Sequence, residues 1–594
     1  MNNKKTFWLL LIVCVVTIMP FLGLYEYNTK GEPREAIVSY SMLATDNWTL
    51  PRNNGGEMAY KPPFFHWCVA AVSAIKGKVT EATSRIPSAV ALIALVMSTF
   101  VFFARRKGVK TGLATALITL LSMELHRAGG NCRVDMVLTV FTVGAFYLFY
   151  RWYERGCKWL PFWAIILMSL GTMTKGPVGS IIPCCIIGGF LLLKKENFFK
   201  VAGKLFLCLL LSLIIPAFWY YAAWQQGGQE FVDLMYEENI GRMTNTMGYE
   251  SCVEPWWFNF VTLTYGLIPF TLVLVLGLFS LKGVSFKSSE NKGIWKRFCN
   301  WLFSLSDVTL FSISSAVIII VFYCIPQSKR SVYLMPMYPF LAYFIAKFMF
   351  WLEDNNKRSL KVYTGILAVA GLLLFVTFIA IKCGLVPDTI FSGKHAPENI
   401  LMLHNLAEIN AWWQWIAILV PTIICAYAIV RIAKPQQVFL SLIIVLAVYL
   451  AVDAAYKPAA LNAKSSKYVA SELMKTCTPP LKMYEYIEAG EKALGDPVHY
   501  FELNFYLGNV IERFTKESPS EGYLLIGTED MQLNRQSFEQ KGYKFSTPIY
   551  VSPRRVSGQI LEVYQFEKYF PEVNSLRVRT YALLKSCVQV AVTF

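Results

Sequence analysis

The feature that most restricts the fold of this chain is a long series of apolar segments. A helix needs about 20 apolar residues to cross the hydrocarbon core of a bilayer, and about thirteen segments approach or reach that length. They cover residues 6–24, 84–104, 111–125, 134–152, 159–173, 178–193, 202–223, 256–281, 308–325, 332–351, 361–381, 411–431 and 436–454. The sequence therefore predicts a polytopic α-helical membrane protein with about thirteen transmembrane helices.

The composition agrees with a location in lipid. Of the 594 residues, 55% are hydrophobic and only 16% are charged, whereas a soluble domain carries about 25% charged residues. The formal net charge of the chain is +17. Its lysines and arginines fall in short loops between apolar segments, which is typical of the cytoplasmic loops of membrane proteins. We therefore expect no nucleic-acid partner.

The same cations predict the orientation of the chain. If Lys4 and Lys5 are cytoplasmic, every second connection is cytoplasmic too, and each of these connections is basic. They are residues 105–107, 151–158, 194–195, 282–297, 357–358 and 431–434. We expect a multi-pass protein of the bacterial inner membrane with a cytoplasmic N-terminus. The short apolar stretch 64–75 is interpreted as an amphipathic helix at the outer interface rather than a span.

The character of the sequence changes after residue 455. Charged residues return, and strand-like runs such as EGYLLIGT and QILEVYQFEK alternate with helical ones. We predict a transmembrane domain over residues 1–455 and a small periplasmic α/β domain over residues 456–594, which is long enough for its own core. Within the transmembrane domain, residues 25–83 form the predicted first periplasmic loop.

This first loop carries two clusters of polar residues. Glu32, Arg34 and Glu35 stand near its start, and Tyr60 and Lys61 precede two prolines farther along. Carboxylates beside cations at a membrane surface suit a site that holds an anionic headgroup and moves a proton. The alternative is a solvated loop whose charges neutralise one another.

Further cations occur in loops on the same predicted outer side, against the usual bias. These loops contain Arg133 with Asp135, Lys175 before Gly-Pro, Arg242, and Lys329–Arg330 with Tyr333. Any one of these cations could be a membrane-surface anchor. Together they predict a phosphate site, because arginine binds phosphate through a fork of donors and lysine binds it as a point charge.

Neither the cysteines nor the histidines form a recognisable site. The 14 cysteines include no C-x-x-C pair, and the five histidines are dispersed without an H-E-x-x-H motif. The residues themselves therefore suggest neither a disulfide framework nor a zinc site.

Several short motifs in fixed order resemble a known family. They are G-E-P-R-E-A, N-W-x-L-P, Y-K-P-P-F-x-x-W, R-V-D-M, T-K-G-P-V, E-N-x-x-R, E-P-W-W and S-K-R-x-V-Y-L-x-P-x-Y-P. Their order and spacing resemble the aminoarabinose transferase-like branch of the membrane glycosyltransferases with the type-C fold (family 39), to which the protein O-mannosyltransferases are related. The resemblance covers residues 5–350, and beyond them only the architecture matches.

The resemblance implies roles for individual residues. An acidic residue of the first loop would act near the anomeric carbon of the sugar, and Lys61 with later cations would hold the lipid phosphate. Family members usually carry Asp-Glu where this chain has Gly31-Glu32, so the catalytic role is assigned first to Glu32 and second to Glu35. Asp135 is a further candidate proton acceptor.

The resemblance also raises the question of a divalent metal. The aminoarabinose transferase binds one through a glutamate before Lys-Pro and a histidine before the E-P-W region. Tyr60 and Cys252 stand at those positions here, with Glu254 close by. No cofactor is assigned, and a divalent metal held by Glu254 or Cys252 stays open.

The predicted activity is inverting sugar transfer from a polyprenyl (undecaprenyl) phosphate carrier at the periplasmic face. The expected acceptor is a lipid A-type glycolipid, and the expected sugar is 4-amino-4-deoxy-L-arabinose or a related one. One alternative is transfer to serine or threonine of a protein. A second is a lipid-linked sugar transporter, which shares the spans and cations but needs no carboxylate.

Overall fold

The computed structural model describes residues 3–241, 253–280, 300–479, 481–488 and 500–569. The chain divides into two compact units. The first comprises Met1–Asn53 and Glu57–Ser465, and the second comprises Asn54–Gly56 and Ser466–Phe594.

The first unit is helical. Its helices are α1 Asn3–Ile18, α2 Gly31–Thr45, α3 Phe64–Lys76, α4 Glu81–Lys107, α5 Val109–Leu121, α6 Met123–Gly129, α7 Val134–Glu154, α8 Phe162–Lys175, α9 Val178–Leu193, α10 Phe198–Tyr236, α11 Phe258–Gly266, α12 Phe270–Leu278, α13 Asp307–Cys324, α14 Tyr338–Asn355, α15 Lys357–Lys382, α16 Ala396–Ala407, α17 Trp412–Val430, α18 Gln437–Ala451 and α19 Lys457–Asn462. A 3₁₀ turn, Ser331–Met337, leads directly into α14.

Each predicted apolar segment coincides with a helix or a bent helix pair, which confirms a polytopic helical fold. In the described part of the chain, nine helices are long and apolar enough to span a membrane, and α11 with α12 form a further pair bent by 104°. The helices α5, α8 and α9 have 13, 14 and 16 residues. At 1.5 Å per residue they are shorter than the hydrocarbon thickness of about 30 Å. The count of thirteen spans is therefore not confirmed.

The spanning helices differ in how much of their surface other helices cover. In each of these helices, an apolar stretch of 18 residues can be compared. About 72% of that stretch is buried in α4, in α7 and in the segment Ser331–Asn355, but only 28% of it is buried in α15 and 22% in α17. Between residues 362 and 376, the large exposed side chains of α15 are hydrophobic, and so are those of α17, as expected where a helix faces lipid. Of the well-covered helices, α4 carries Arg85 and Ser88 and α7 carries Asp135, which are described below.

The short apolar stretch 64–75 within the first loop is helical, as predicted. Helix α3 buries Phe65, His66, Val69 and Ala70 on one face, because these residues recur at the three- and four-residue spacing of a helix. Its position at the outer interface stays a prediction.

The second unit contains a six-stranded sheet and flanking helices. Its elements are α20 Lys467–Thr476, β1 Met483–Tyr486, α21 Phe501–Tyr506, β2 Ile511–Arg513, α22 Phe514–Glu517, β3 Glu521–Gly527, α23 Thr528–Gln540, β4 Tyr543–Phe545, β5 Tyr550–Val556 and β6 Gln559–Lys568. The strand order is β2-β1-β3-β6-β4, with β5 also pairing with β6; β1 is parallel to β2 and β3, and β6 is antiparallel to β3. The predicted α/β domain is confirmed.

The first unit ends later than the boundary that the composition suggests. Helix α18 does not stop at residue 451 but continues through a π-helical turn, Val452–Tyr456, into α19. The division between the units falls at Ser465. The polar residues Asp453 and Lys457 lower the local hydropathy, so the composition suggests an earlier boundary. Both residues nevertheless lie inside the helical bundle, where they form an ion pair with each other.

A close approach of α8 and α9 generates the first prediction. A Cβ atom at Gly179 would lie 2.3 Å from the carbonyl carbon of Gly171. We expect Gly179→Ala to lower the stability of the folded protein by about 1–3 kcal/mol, because two backbones would have to separate. Thermal unfolding of the purified protein in detergent measures the effect.

Gly203→Ala is the matched control, because no atom lies within 4 Å of a Cβ added there. It should leave the unfolding temperature unchanged or raise it slightly, since alanine favours helix more than glycine does. Equal unfolding temperatures for wild type and Gly179→Ala would contradict the packing described for α8 and α9.

Candidate active site

A polar cavity lies where the beginnings of α2 and α7 meet the end of α8 and the segment before α14. Its empty volume is about 400 Å³, a value that includes space open to solvent. Its lining residues come from five separate stretches of sequence: Gly31, Arg34, Glu35, Tyr60, Lys61, Arg133, Val134, Asp135, Lys175, Arg330 and Tyr333. Nine of the residues that the sequence singled out are thus brought together.

Two helix N-termini contribute to the cavity. Helix α2 begins at Gly31 and α7 begins at Val134, and neither has a hydrogen bond from the side chain of its N-cap residue. The first N–H groups of a helix lack partners within the helix, and the helix dipole adds partial positive charge there. Both features favour an anion.

Glu35 is surrounded by positively charged or hydrogen-bonding groups. Its carboxylate forms an ion pair with Lys61, lies 3.0 Å from Nε2 of His66, and accepts a hydrogen bond of 3.4 Å from Arg34. Burial alone would raise the pKa of this carboxyl, but Lys61, His66 and Arg34 together hold it well below its usual range. Glu35 is therefore a permanent carboxylate.

Asp135 forms the second carboxylate of the cavity. It stands in the first turn of α7 and forms an ion pair with Lys175 at the end of α8. The Lys175 ammonium also lies 4.1 Å from the centre of the Tyr333 ring, a distance at which a cation is attracted by an aromatic face. Lys175 is thereby fixed at the cavity wall by two residues.

Arg133 and Arg330 differ from the two lysines. Neither guanidinium pairs with a carboxylate within the described residues, and the Nε atom of each is buried without a hydrogen-bond partner. The cavity lining carries five cations and two carboxylates, an excess of three positive charges. An anion with several oxygen atoms would satisfy the free donors.

The structure corrects the role assigned to Glu32. Its two carboxylate oxygens accept hydrogen bonds of 2.8 and 3.0 Å from Arg85, and one of them also accepts the backbone N–H of Cys132 at 2.7 Å. Glu32 is 4% exposed and does not line the cavity. This pairing holds Glu32 outside the cavity, and Glu35 and Asp135 are the two carboxylates that line it.

Lys329 is also corrected. Its ammonium donates to the carbonyl oxygens of Glu254, Pro326 and Gln327, at 2.9, 2.7 and 3.4 Å, and it does not line the cavity. Its neighbour Arg330 does. Arg242 and Cys252 lie outside the described residues.

The chain is similar to several known proteins. The family model for dolichyl-phosphate-mannose-protein mannosyltransferase matches residues 60–221. An uncharacterized protein of Aquifex aeolicus is 25% identical over 64% of this chain and 72% of its own length. The undecaprenyl phosphate-α-4-amino-4-deoxy-L-arabinose arabinosyl transferase of Pseudomonas savastanoi pv. phaseolicola is 25% identical over 60% of this chain, an alignment that spans 63% of that relative.

A solved structure identifies the fold. The crystal structure of ArnT from Cupriavidus metallidurans bound to undecaprenyl phosphate superposes with a TM-score of 0.66 at 16% identity, covering 94% of this chain and 97% of ArnT. The chain has the type-C glycosyltransferase fold. The resemblance seen in the motifs is confirmed, and the relatives of assigned activity are glycosyltransferases, as predicted.

A carboxylate still reaches the cavity although the chain has Gly31 where the family usually has an aspartate. Gly31 and Glu35 are four residues apart on α2, so they lie on the same side of the helix, and both line the cavity. A Cβ atom at Gly31 would lie 3.0 Å from the guanidinium of Arg133. The guanidinium of Arg133 therefore occupies the space beside residue 31. The carboxylate of Glu35 lines the cavity from one turn farther along α2.

Sequence reasoning missed two residues that support the site. His66 is 1% exposed and contacts Glu35, and Arg85 is completely buried against Glu32. Arg85 carried a usable signal, because an arginine inside a predicted span needs a partner. For His66, the only signal in the sequence was its proximity to Lys61 in the Y-K-P-P-F-F-H-W motif.

The described residues do not fit a divalent metal. They contain no group of three or more His, Cys, Asp or Glu side chains that could hold one. Tyr60 occupies one position that the resemblance implied for a ligand, and the Glu254 backbone carbonyl accepts the Lys329 ammonium. The two cavity carboxylates are already paired with lysines.

The contrast between Lys329 and Arg330 generates a prediction about stability. Lys329→Met should lower the free energy of unfolding by about 2 kcal/mol, because buried carbonyl groups lose a charged donor. Arg330→Met should leave it unchanged or raise it, because an unpaired cation is removed from a positively charged cavity. Thermal unfolding of both variants in detergent compares them, and a larger loss for Arg330→Met would contradict the assignment.

Proposed function

We propose that this protein transfers a sugar from a polyprenyl phosphate carrier to an acceptor at the periplasmic face of the inner membrane. The observation that carries the proposal is the cavity, in which unpaired arginines and two lysine–carboxylate pairs surround one space. The undecaprenyl phosphate bound to ArnT, which shares the fold, supports the class of carrier. The cytoplasmic N-terminus and the periplasmic second unit belong to the same proposal.

In the proposed step, an acceptor oxygen attacks the anomeric carbon of the sugar. The new bond forms as the bond between that carbon and the phosphate oxygen breaks, with inversion, and the electron pair leaves with the polyprenyl phosphate. Negative charge thus develops on the phosphate. Arg133, Arg330, Lys61 and Lys175 would stabilise that charge more in the transition state than in the bound donor, and this difference is what accelerates the reaction.

Glu35 and Asp135 would face the sugar, where positive charge develops at the anomeric carbon. A carboxylate with a strongly lowered pKa is a weak base, so Glu35 is better suited to electrostatic stabilisation than to proton removal. An acceptor that is already ionised, such as a phosphate group, needs no base. A hydroxyl acceptor would have to deliver its proton to Asp135 or Glu35.

We favour a lipid A-type phosphate as acceptor and a 4-amino-4-deoxy-L-arabinose-like sugar. The permanent charge of Glu35 supports an ionised acceptor, and the named activity of the Pseudomonas relative supports the sugar. Transfer to a protein hydroxyl is the second candidate, which the mannosyltransferase family model supports. Fractionation of the labelled product into lipid and protein separates the two.

The proposed activity is tested with membranes that contain the protein and a radiolabelled polyprenyl-phosphate sugar. Wild type should transfer label, and Glu35→Gln and Lys61→Ala should each lower the initial rate by about 100-fold or more, because each removes a charge from the transition-state environment. Lys110→Ala and Glu472→Gln are matched controls, since both residues lie in partly exposed ion pairs and neither lines the cavity.

Full activity of both Glu35→Gln and Lys61→Ala would contradict the proposed site. Movement of intact labelled donor across the membrane, without transfer to any acceptor, would instead indicate a lipid-linked sugar transporter.

The lowered pKa of Glu35 also predicts the pH dependence of transfer. A glutamate in water has a pKa of about 4.3, and the pKa of Glu35 in the folded protein is lower than that. Above about pH 4.3 the carboxylate is therefore ionised and its contribution to stability is fully present. That contribution is lost only as the pH falls through the lower, folded-state pKa. With a phosphate acceptor, whose own second pKa is about 6, the initial rate should therefore change less than about twofold between pH 8.5 and 7. A rate that falls about tenfold over this range would indicate a required base with a raised pKa.

A further inference from the structure

The loop between α6 and α7, residues 130–133, is held by side chains rather than by its own hydrogen bonds alone. The Tyr25 hydroxyl donates to the Gly130 carbonyl, and Glu32 accepts the N–H of Cys132 at 2.7 Å. Ser88 accepts the N–H of Arg133 at 3.3 Å and donates to its carbonyl at 3.1 Å. Residues from three different elements thus fix the backbone of this loop. They also fix the point from which the Arg133 side chain extends.

Glu32 is itself fixed by a fully buried partner. Arg85 binds both carboxylate oxygens of Glu32, and its remaining donors reach the carbonyls of Leu22 and Tyr25 at 2.8 and 2.6 Å. The guanidinium lies 3.9 Å from the centre of the Tyr25 ring. Rotation of Glu32 would leave a charged group buried without its partner, which is strongly unfavourable.

A second group of charges extends this support into the end of the helical bundle. The Lys457 ammonium lies 4.4 Å from the centre of the Tyr25 ring on the first loop. It pairs with Asp453 at 3.3 Å, and Asp453 lies 2.6 Å from Nε2 of His126 on α6. The residues on both sides of loop 130–133 are therefore connected through buried contacts.

We propose that Glu32 is a positioning residue for the phosphate-binding wall of the cavity. It acts through the Cys132 backbone on Arg133, whose guanidinium lies beside the missing side chain of Gly31 and has no carboxylate partner in the described part of the chain. Glu32 does not contact the reacting atoms. This assignment rests on the proposed function, because Arg133 is taken to bind the phosphate of the donor.

The test compares the KM for the polyprenyl-phosphate sugar in a set of variants. In Glu32→Gln, an amide NH₂ replaces the oxygen that accepts the Arg85 Nη2 donor, so two donors face each other. The side chain is then displaced from the Cys132 N–H, the loop loses part of its support, and the donor KM should rise about tenfold. In an Arg133→Ala background, the same substitution should change the KM by less than about twofold, since the group through which it acts is gone.

Arg85→Met supplies a rescue experiment. When it is combined with Glu32→Gln, the amide oxygen is free to accept the Cys132 N–H and no buried charge lacks a partner. The donor KM of the double variant should return to within about threefold of wild type. A catalytic carboxylate at position 32 would not be rescued in this way, because the double variant still lacks the charge.

Ser88→Ala keeps the proposal testable if Glu32→Gln does not fold. It removes both contacts to the Arg133 backbone and should also raise the donor KM. Ser98→Ala on the same helix is the control, because its hydroxyl only contacts the carbonyl of Leu95 at 2.9 Å.

Two results would overturn the assignment. One is an equal KM increase from Glu32→Gln with and without Arg133. The other is a fall in kcat at constant KM that Arg85→Met does not rescue. Failure of the proposed function is a separate outcome, recognised by full activity of both Glu35→Gln and Lys61→Ala.

Discussion

The candidate site depends on positive charge gathered in a partly enclosed space. Five cations and two carboxylates line the cavity, and two helix N-termini add their dipoles. Two unit charges 4 Å apart interact by only about 1 kcal/mol in water, but by about 4 kcal/mol at an effective dielectric constant near 20. Such a cavity is costly to keep empty of anions and well suited to a phosphate whose charge increases during reaction.

The two carboxylates make this arrangement possible. Each is paired with a lysine, Glu35 with Lys61 and Asp135 with Lys175. The pairing restrains both partners and lowers the mutual repulsion of the cations, while Arg133 and Arg330 keep free donors. The helices most covered by others, α4 and α7, carry the buried anchors Arg85 and Ser88 and the start of the cavity wall. The lipid-facing helices contribute little polar chemistry.

Much of this could be predicted from the sequence, because apolar segment length, cation bias and motif order each report on one physical constraint. The sequence does not show which of two nearby charged residues lines the cavity. Glu32 and Glu35 are three residues apart on α2, and only the partner Arg85 on another helix decides which one is removed from the cavity. Lys329 and Arg330 are adjacent, and the carbonyls that bind Lys329 come together only in the folded chain. Sequence spacing cannot distinguish such pairs, whereas an arginine at the start of a span, Arg85, was a readable sign of a buried partner.

The most direct test of the central claim is an experimental structure of the protein with undecaprenyl phosphate bound, determined by cryo-electron microscopy. The account predicts the phosphate inside the cavity, with its oxygens about 3 Å from donor nitrogens of Arg133, Arg330 or Lys61, and the polyprenyl chain leaving toward the lipid. A phosphate bound elsewhere on the protein, with this cavity unoccupied, would contradict it.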